Sequence, residues 1–298
     1  MHIDTGREMR GGQHQVLLLL KGLREAGHQS TLLAREKSPL WSAVAAQGFS
    51  VYAAGVKQVW QHSSNADLVH AHEARAHTTA AIASRRRFVV SRRVAFPLHR
   101  NIASAWKYQR VARWLAVSQY VAGELEAAGI RKEKIDVVYD GVETQQGSAE
   151  WRAEYPPVAL ASRDPQKGRD LVEQAAEIAG LHVLFSENLG RDLRRASMFV
   201  YITRSEGLGS AALLAMNMGV PLIASCVGGL KEVFAHEISG ISVQNDAREI
   251  ARAMQRIIEE PVFARRLIEA ARARINECFT LERLVRETLL SYARALAV

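Results

Sequence analysis

Long apolar runs are missing from this chain. No unbroken stretch of apolar side chains exceeds the six of Ala211 to Met216, far short of the roughly 20 residues that cross a bilayer as a helix. No charged segment followed by an apolar one opens the sequence as a secretory signal does, so a cytoplasmic protein is the expectation. Cysteine is scarce as well: Cys226 and Cys278 lie far apart without a CxxC spacing, which suggests neither a disulfide framework nor a zinc site. Both are expected to be ordinary buried thiols. The common phosphate and nucleophile signatures are also absent. There is no GxxxxGKS/T loop, no complete GxGxxG after a strand and no GxSxG turn, which removes the simplest ATPase, dehydrogenase and hydrolase readings. His72, Glu73 and His77 imitate a metalloprotease helix, but the histidines stand five apart rather than four. That offset is about 140° around a helix, so no metal is expected there.

What is present is a globular composition: 298 residues, 48% apolar and 23% charged, enough for a sizeable core and too apolar for disorder. The net charge of +8 is uneven. Residues 1–150 hold 20 basic against 13 acidic side chains, and Arg85 to Arg113 contains nine basic residues and no acid. Such a stretch attracts phosphate groups or an anionic membrane surface, although many basic faces are merely solvated.

Short β-branched runs alternate with segments of helical period, the pattern of parallel α/β architecture. The spacing predicts a first Rossmann-like domain over residues 1–142, opening on a very short Met1 to Ile3 strand. Residues 143–157, aperiodic and carrying Gly147, Pro156 and Pro157, read as a linker. A second Rossmann-like domain follows over 158–280, with a last helix over 281–298. Ligands of such doubly wound sheets bind outside the carboxyl ends of the strands, in the cleft between the two domains.

Three elements fall at those ends. Gly11-Gly12 precedes an amphipathic helix, where small residues let backbone N–H groups approach an anion. Arg163 and Lys167 follow the first strand of the second domain, and Glu206-Gly207-Leu208-Gly209-Ser210 forms a strand-to-helix turn. Cations there can neutralise a diphosphate, and a carboxylate can accept from sugar hydroxyls. Taken singly, each is equally a surface ion pair or a tight turn.

The order of HIDTGREMRGG, DLVHAH, WLAVSQYVAGEL, IDVVYDGVE, RDPQKG, YITRSEGLGSAALLAMNMGVPLIAS and VGGLKEV resembles the retaining family 4 glycosyltransferases of GT-B fold, over nearly the whole chain. The resemblance implies transfer of a sugar from a nucleoside-diphosphate sugar to a hydroxyl acceptor such as a lipid-linked or cell-surface glycan precursor, with no cofactor and no metal. It implies that Gly11 and Gly12 approach the donor diphosphate and that Arg163 and Lys167 contact its phosphates. Glu206 and the backbone through Gly207, Leu208, Gly209 and Ser210 would meet the transferred sugar. His72, Arg92, Arg93 and Arg100 would then stand on the acceptor or phosphate side, and the last helix would return to the first domain.

The match departs from the family in three places. Leu214 stands where the family has a second glutamate, which removes a hydrogen-bond acceptor for the donor's ribose. Ser91-Arg92-Arg93 stands where the family often has a histidine. Only 39 positions separate Lys167 from Glu206, which shortens the second domain by about one βα unit. A GT-B protein that binds a nucleotide sugar, a phosphate ligand or a partner without turnover is therefore the alternative expectation. No helix-turn-helix, RRM or zinc module is recognisable, so no nucleic-acid partner is expected.

Overall fold

A computed structural model describes residues 1–96, 98, 102–144 and 150–297. It contains two parallel α/β units, one formed by residues 1–141 with 281–298 and the other by residues 142–280. The first unit runs β1 (His2–Asp4), α1 (Gly11–Glu25), β2 (Thr31–Ala34), α2 (Pro39–Ala46), β3 (Ser50–Ala53), α3 (Val56–Ser63) and β4 (Val69–Ala71). It continues with α4 (Ala74–Ala83), β5 (Phe88–Arg92), α5 (Ile102–Gln109), β6 (Arg113–Ala116), α6 (Gln119–Ala127) and β7 (Ile135–Val137). The sheet order is β3-β2-β1-β4-β5-β6-β7. The short β1, only three residues long, therefore lies inside the sheet, pairing His2 with Leu32 on one side and with His70 on the other.

The second unit runs β8 (Val158–Leu160), α7 (Arg169–Ala179), β9 (Leu184–Ser186), α8 (Leu189–Asp192), β10 (Phe199–Tyr201), α9 (Ser210–Asn217) and β11 (Leu222–Ser225). It closes with α10 (Leu230–Val233), β12 (Ile241–Val243), α11 (Ala247–Glu259) and α12 (Pro261–Cys278), in a five-stranded sheet of order β12-β11-β10-β8-β9. The last helix, α13 (Leu281–Ala297), belongs to the first unit, where its Leu281, Leu284 and Val285 pack with Leu19 and Leu23 of α1. Gly22 makes the close approach possible, because a Cβ there would stand 2.4 Å from Val285 Cγ2.

The doubly wound parallel sheets agree with the sequence pattern, and the differences are local. The helix α3 escapes periodicity because its eight residues bury only Val59 and Ser63. Gly180 ends α7 in the left-handed region, and three residues are spent turning back to the sheet before β9 begins at Leu184. The basic stretch read from Arg85 to Arg113 is not one element: α5 stops at Gln109. Arg113 opens β6 instead, held by an ion pair to Asp136 of β7. In the stretch read as linker, Trp151 packs against the core of the second unit and donates from Nε1 to the Ser197 carbonyl at 2.7 Å. Cys226 and Cys278 are half-buried free thiols rather than core residues. Among the described residues no helix is long and apolar enough to cross a membrane.

Candidate active site

In each sheet the strand order reverses once, between β1 and β4 in the first and between β8 and β10 in the second. At such a point the connections leave in opposite directions and open a crevice at the carboxyl ends of the strands.

At the first crevice, Asp4 ends β1, 2% exposed, and accepts from the Gly6 N–H at 2.9 Å and from Gln13 Nε2 at 3.1 Å. Burial pushes the carboxyl up, against the pull of those two donors. Gln13 thereby ties the loop after β1 to α1, whose first residues are Gly11 and Gly12. Glu73 accepts from the Ala76 N–H at 2.7 Å, capping α4, and from the Thr5 hydroxyl at 2.6 Å. The loops after β1 and β4 are thus stapled together.

Below α1 lies Arg93, with Cδ 3.9 Å from where a Cβ on Gly12 would sit. Its Nε donates to Asp140 Oδ1 at 3.0 Å and its Nη1 to His72 Nδ1 at 3.3 Å. A guanidinium can only donate. His72 therefore carries its proton on Nε2 and donates it to His2 Nδ1 at 3.0 Å, which places the proton of His2 on Nε2 in turn. His70 closes the cluster between the Tyr292 hydroxyl of α13, at 2.6 Å, and the Ser91 hydroxyl, at 2.7 Å. Burial first, and then the charge of Arg93 and the neighbouring groups, holds His2, His70 and His72 well below the ordinary histidine range.

Nitrogens of these three rings lie within 4.8 Å of one another, close enough to be compared with a metal site. The lone pair of His72 is spent on Arg93 and that of His2 on His72, and a guanidinium stands beside them. The cluster is a directed hydrogen-bond chain. His72, expected on the acceptor side, is 5% exposed with both ring nitrogens engaged, one by Arg93 and one by His2. Arg92 turns aside and donates to the Phe96 carbonyl. Arg100 lies outside the described residues.

At the second crevice, the turn after β8 is capped by Asp164, which accepts from the Gln166 N–H at 2.9 Å. It carries the exposed Arg163 and delivers Lys167. Lys167 Nζ donates to Glu206 Oε2 at 2.9 Å, with 28% and 16% of the two side chains exposed. Glu206 Oε1 accepts from the Gly207 N–H at 3.0 Å, and the Tyr201 hydroxyl donates to Oε2. Beyond it Leu208 is buried and Gly209 adopts φ +105° just before Ser210 begins α9. A Cβ on Gly209 would stand 2.7 Å from Leu230 Cδ2 and 3.2 Å from Tyr201 Cε1, so only glycine fits. Leu214, one turn into α9, is half-buried.

Lys167 and Glu206 lie beyond the carboxyl ends of β8 and β10, as the sequence pattern implies, whereas nothing in that pattern singles out Asp4, Gln13, Asp140 or Tyr201. Tyr201 reads as a core aromatic; only its position five residues before Glu206 signals otherwise.

The motifs on these two crevices also match known families. Residues 9–146 match the profile described as Glycosyltransferase Family 4, and residues 165–274 that described as Glycosyl transferases group 1. The chain belongs to the family 4 glycosyltransferases. Its relatives include the glycosyltransferase 1 domain-containing protein 1 of Xenopus tropicalis, 27% identical over 151 residues, or 48% of this chain and 44% of that one. Another is the D-inositol 3-phosphate glycosyltransferase of a Nocardioides strain, 35% identical over 114 residues, or 37% of this chain and 24% of that one. The aligned parts span less than half the length of these curated relatives. Among solved structures, HepE of Anabaena, crystallised with UDP and glucose, superposes with a TM-score of 0.85 at 16% identity, covering 98% of both chains. The fold of this glycosyltransferase is GT-B, with two Rossmann-like domains.

Proposed function

We propose that the chain transfers a sugar from a nucleoside-diphosphate sugar to a hydroxyl acceptor, with retention of anomeric configuration and without a metal. The observation that carries this reading is the Lys167–Glu206 pair at the switch point of the second sheet. One member is a cation suited to a diphosphate, the other an acceptor suited to sugar hydroxyls, and both sit beside a glycine turn that brings main-chain N–H groups close. Lys167 and Arg163 stabilise the charge that develops on the leaving phosphate. Glu206 orients the sugar, and the backbone from Gly207 to Ser210 follows its contour. HepE, of the same fold, was crystallised with UDP and glucose, which supports a uridine nucleotide as the first donor to test.

On the first unit, Gly11, Gly12 and Arg93 supply the phosphate or acceptor side. Asp140 and the histidine chain hold the Arg93 guanidinium rigid, and a preoriented cation loses little freedom on binding. The acceptor we propose is lipid-linked, met at an anionic membrane surface in the cytoplasm. Support comes from two exposed indoles beside arginines: Trp60 lies under Arg85 at 4.8 Å and Trp106 near Arg110 at 5.5 Å. Indole rings and cationic side chains together suit the headgroup region of a bilayer.

Calorimetric titration with nucleoside diphosphates and their sugars, followed by a donor-hydrolysis assay on whichever binds, tests the reading. Binding with slow hydrolysis is expected. A chain that binds none of them is not a transferase of this kind.

A further inference from the structure

Tyr201 has no part in the roles proposed above. It is the last residue of β10, 4% exposed, stacked on Phe199 with ring centroids 5.5 Å apart. A core position of this kind needs no hydroxyl, since phenylalanine fills the same space. The hydroxyl nevertheless donates to Glu206 Oε2, the oxygen that also takes the Lys167 ammonium at 2.9 Å. That ammonium lies 3.5 Å from the phenolic oxygen. Lys167 and Tyr201 are the titratable groups that meet the Glu206 carboxylate among the described residues. Burial, and then the charge of Glu206, holds the phenol far above its usual range, so it stays a proton donor at any working pH.

Consider the carboxylate without that hydroxyl. Glu206 would keep one main-chain N–H, from Gly207 at 3.0 Å, and the lysine. Each bond the ammonium then made to a phosphate would strip a mostly buried carboxylate of its one charged partner, which is costly in a desolvated setting. The lysine would stay with the carboxylate. With the phenol in place, a neutral donor remains on Oε2 after the ammonium has turned away.

We propose that Tyr201 is a positioning residue of the donor site: its hydroxyl holds the Glu206 carboxylate so that Lys167 can engage a diphosphate without the carboxylate following it. The assignment rests on the donor-site reading above. Tyr201 touches neither phosphate nor sugar; it acts through Glu206 and Lys167.

Two measurements on the full chain separate failure of this inference from failure of that reading. The first needs no ligand. A buried hydroxyl held by a carboxylate exchanges slowly with water, so the wild type is expected to show a downfield hydroxyl proton by NMR that disappears in Tyr201→Phe and moves upfield in Glu206→Gln, where a neutral amide oxygen replaces the carboxylate. Absence of such a signal from the wild type, or its survival in Tyr201→Phe, overturns the inference. The second is calorimetric titration with UDP. Tyr201→Phe, which keeps the ring and hence the packing, is expected to bind about tenfold more weakly, the scale of one hydrogen bond to a charged group. In a Glu206→Gln background the same change is expected to have little further effect, because the coupling runs through the carboxylate. A merely structural tyrosine would weaken binding equally in both backgrounds, which overturns the proposal, as does unchanged UDP affinity in Tyr201→Phe. If the wild type binds no nucleoside diphosphate, the donor reading fails and takes the positioning role with it; the hydroxyl signal then reports only whether the Tyr201–Glu206 bond exists.

Discussion

Lys167 reaches Glu206, 39 residues further along the chain, across 2.9 Å, and the two stand on neighbouring strand ends because β8 and β10 are adjacent in the second sheet. The pairing is a product of topology: the chain places β9 on one side of β8 and β10 on the other. The two side chains that carry the proposed chemistry are thus set by strand order, and their orientation by the loops around them.

The loop of Glu206 depends on Gly228. At φ +50°, a Cβ on that residue would stand 2.2 Å from the Glu206 carbonyl oxygen, which accepts from the Gly229 N–H at 3.0 Å. Gly228→Ala is expected to destabilise the protein by about 2 kcal/mol and to weaken UDP binding, because the Glu206 loop must shift. Urea unfolding and calorimetry on the same sample check both effects. Stability and affinity equal to the wild type would mean that the loop is not held this way.

Asp136 ties α13 to the first sheet. It pairs with Arg113, accepts from the Ser291 hydroxyl at 2.8 Å and takes Arg294 Nη1 at 2.6 Å. Burial alone would raise its pKa; the bonds from Arg113, Ser291 and Arg294 outweigh that and leave the carboxyl below its ordinary range. A depressed carboxylate adds stability that is complete above the unfolded value near 4 and is lost as pH falls through the folded value. Asp136→Asn is expected to cost about 3 kcal/mol at pH 7 and to flatten the loss of stability below about pH 4. Chemical denaturation across that range measures both.

The histidine chain predicts a second acid transition at higher pH. In the unfolded chain each histidine takes a proton near pH 6.5, whereas His2, His70 and His72 resist protonation until far lower. His77, also buried, is pushed down to about 4. Below pH 6.5 the unfolded state binds more protons, so stability falls with pH until the folded values are reached. Between pH 6.5 and 5 the loss is about 2 kcal/mol for each histidine. Urea titrations at pH 7 and 5 test it, with His72→Gln reducing the difference. A flat profile would show that these rings are solvated.

The fold class could be read from the sequence because alternating apolar runs and helical periods are a local signal, and Gly11, Lys167 and Glu206 because they sit at punctuated strand ends. The side chains that hold Arg93 and His70 could not. Asp140 lies 47 residues from Arg93, and Tyr292 lies 222 from His70. No spacing rule links side chains that only sheet order and the returning α13 bring together. His72 shows the converse case, since a motif position read as an open site residue is closed off by Arg93 and His2.

Membrane attachment is expected to depend on the paired indoles and arginines. Sedimentation with vesicles containing anionic phospholipid should retain the wild type at low salt and lose it at high salt. Trp60→Ala combined with Trp106→Ala should bind several-fold less. Binding that ignores both changes would leave the lipid-linked acceptor without support.

Whether Lys167 meets the donor's phosphates is decided by calorimetric titration of Lys167→Ala with UDP against the wild type. The Lys167 side chain is 28% exposed, and without it Glu206 keeps the Tyr201 hydroxyl and the Gly207 N–H, so the variant is expected to fold. A fall in affinity of tenfold or more, matching the loss of a charged hydrogen bond to phosphate, is the predicted result. Unchanged affinity with the fold intact would remove the diphosphate from this crevice.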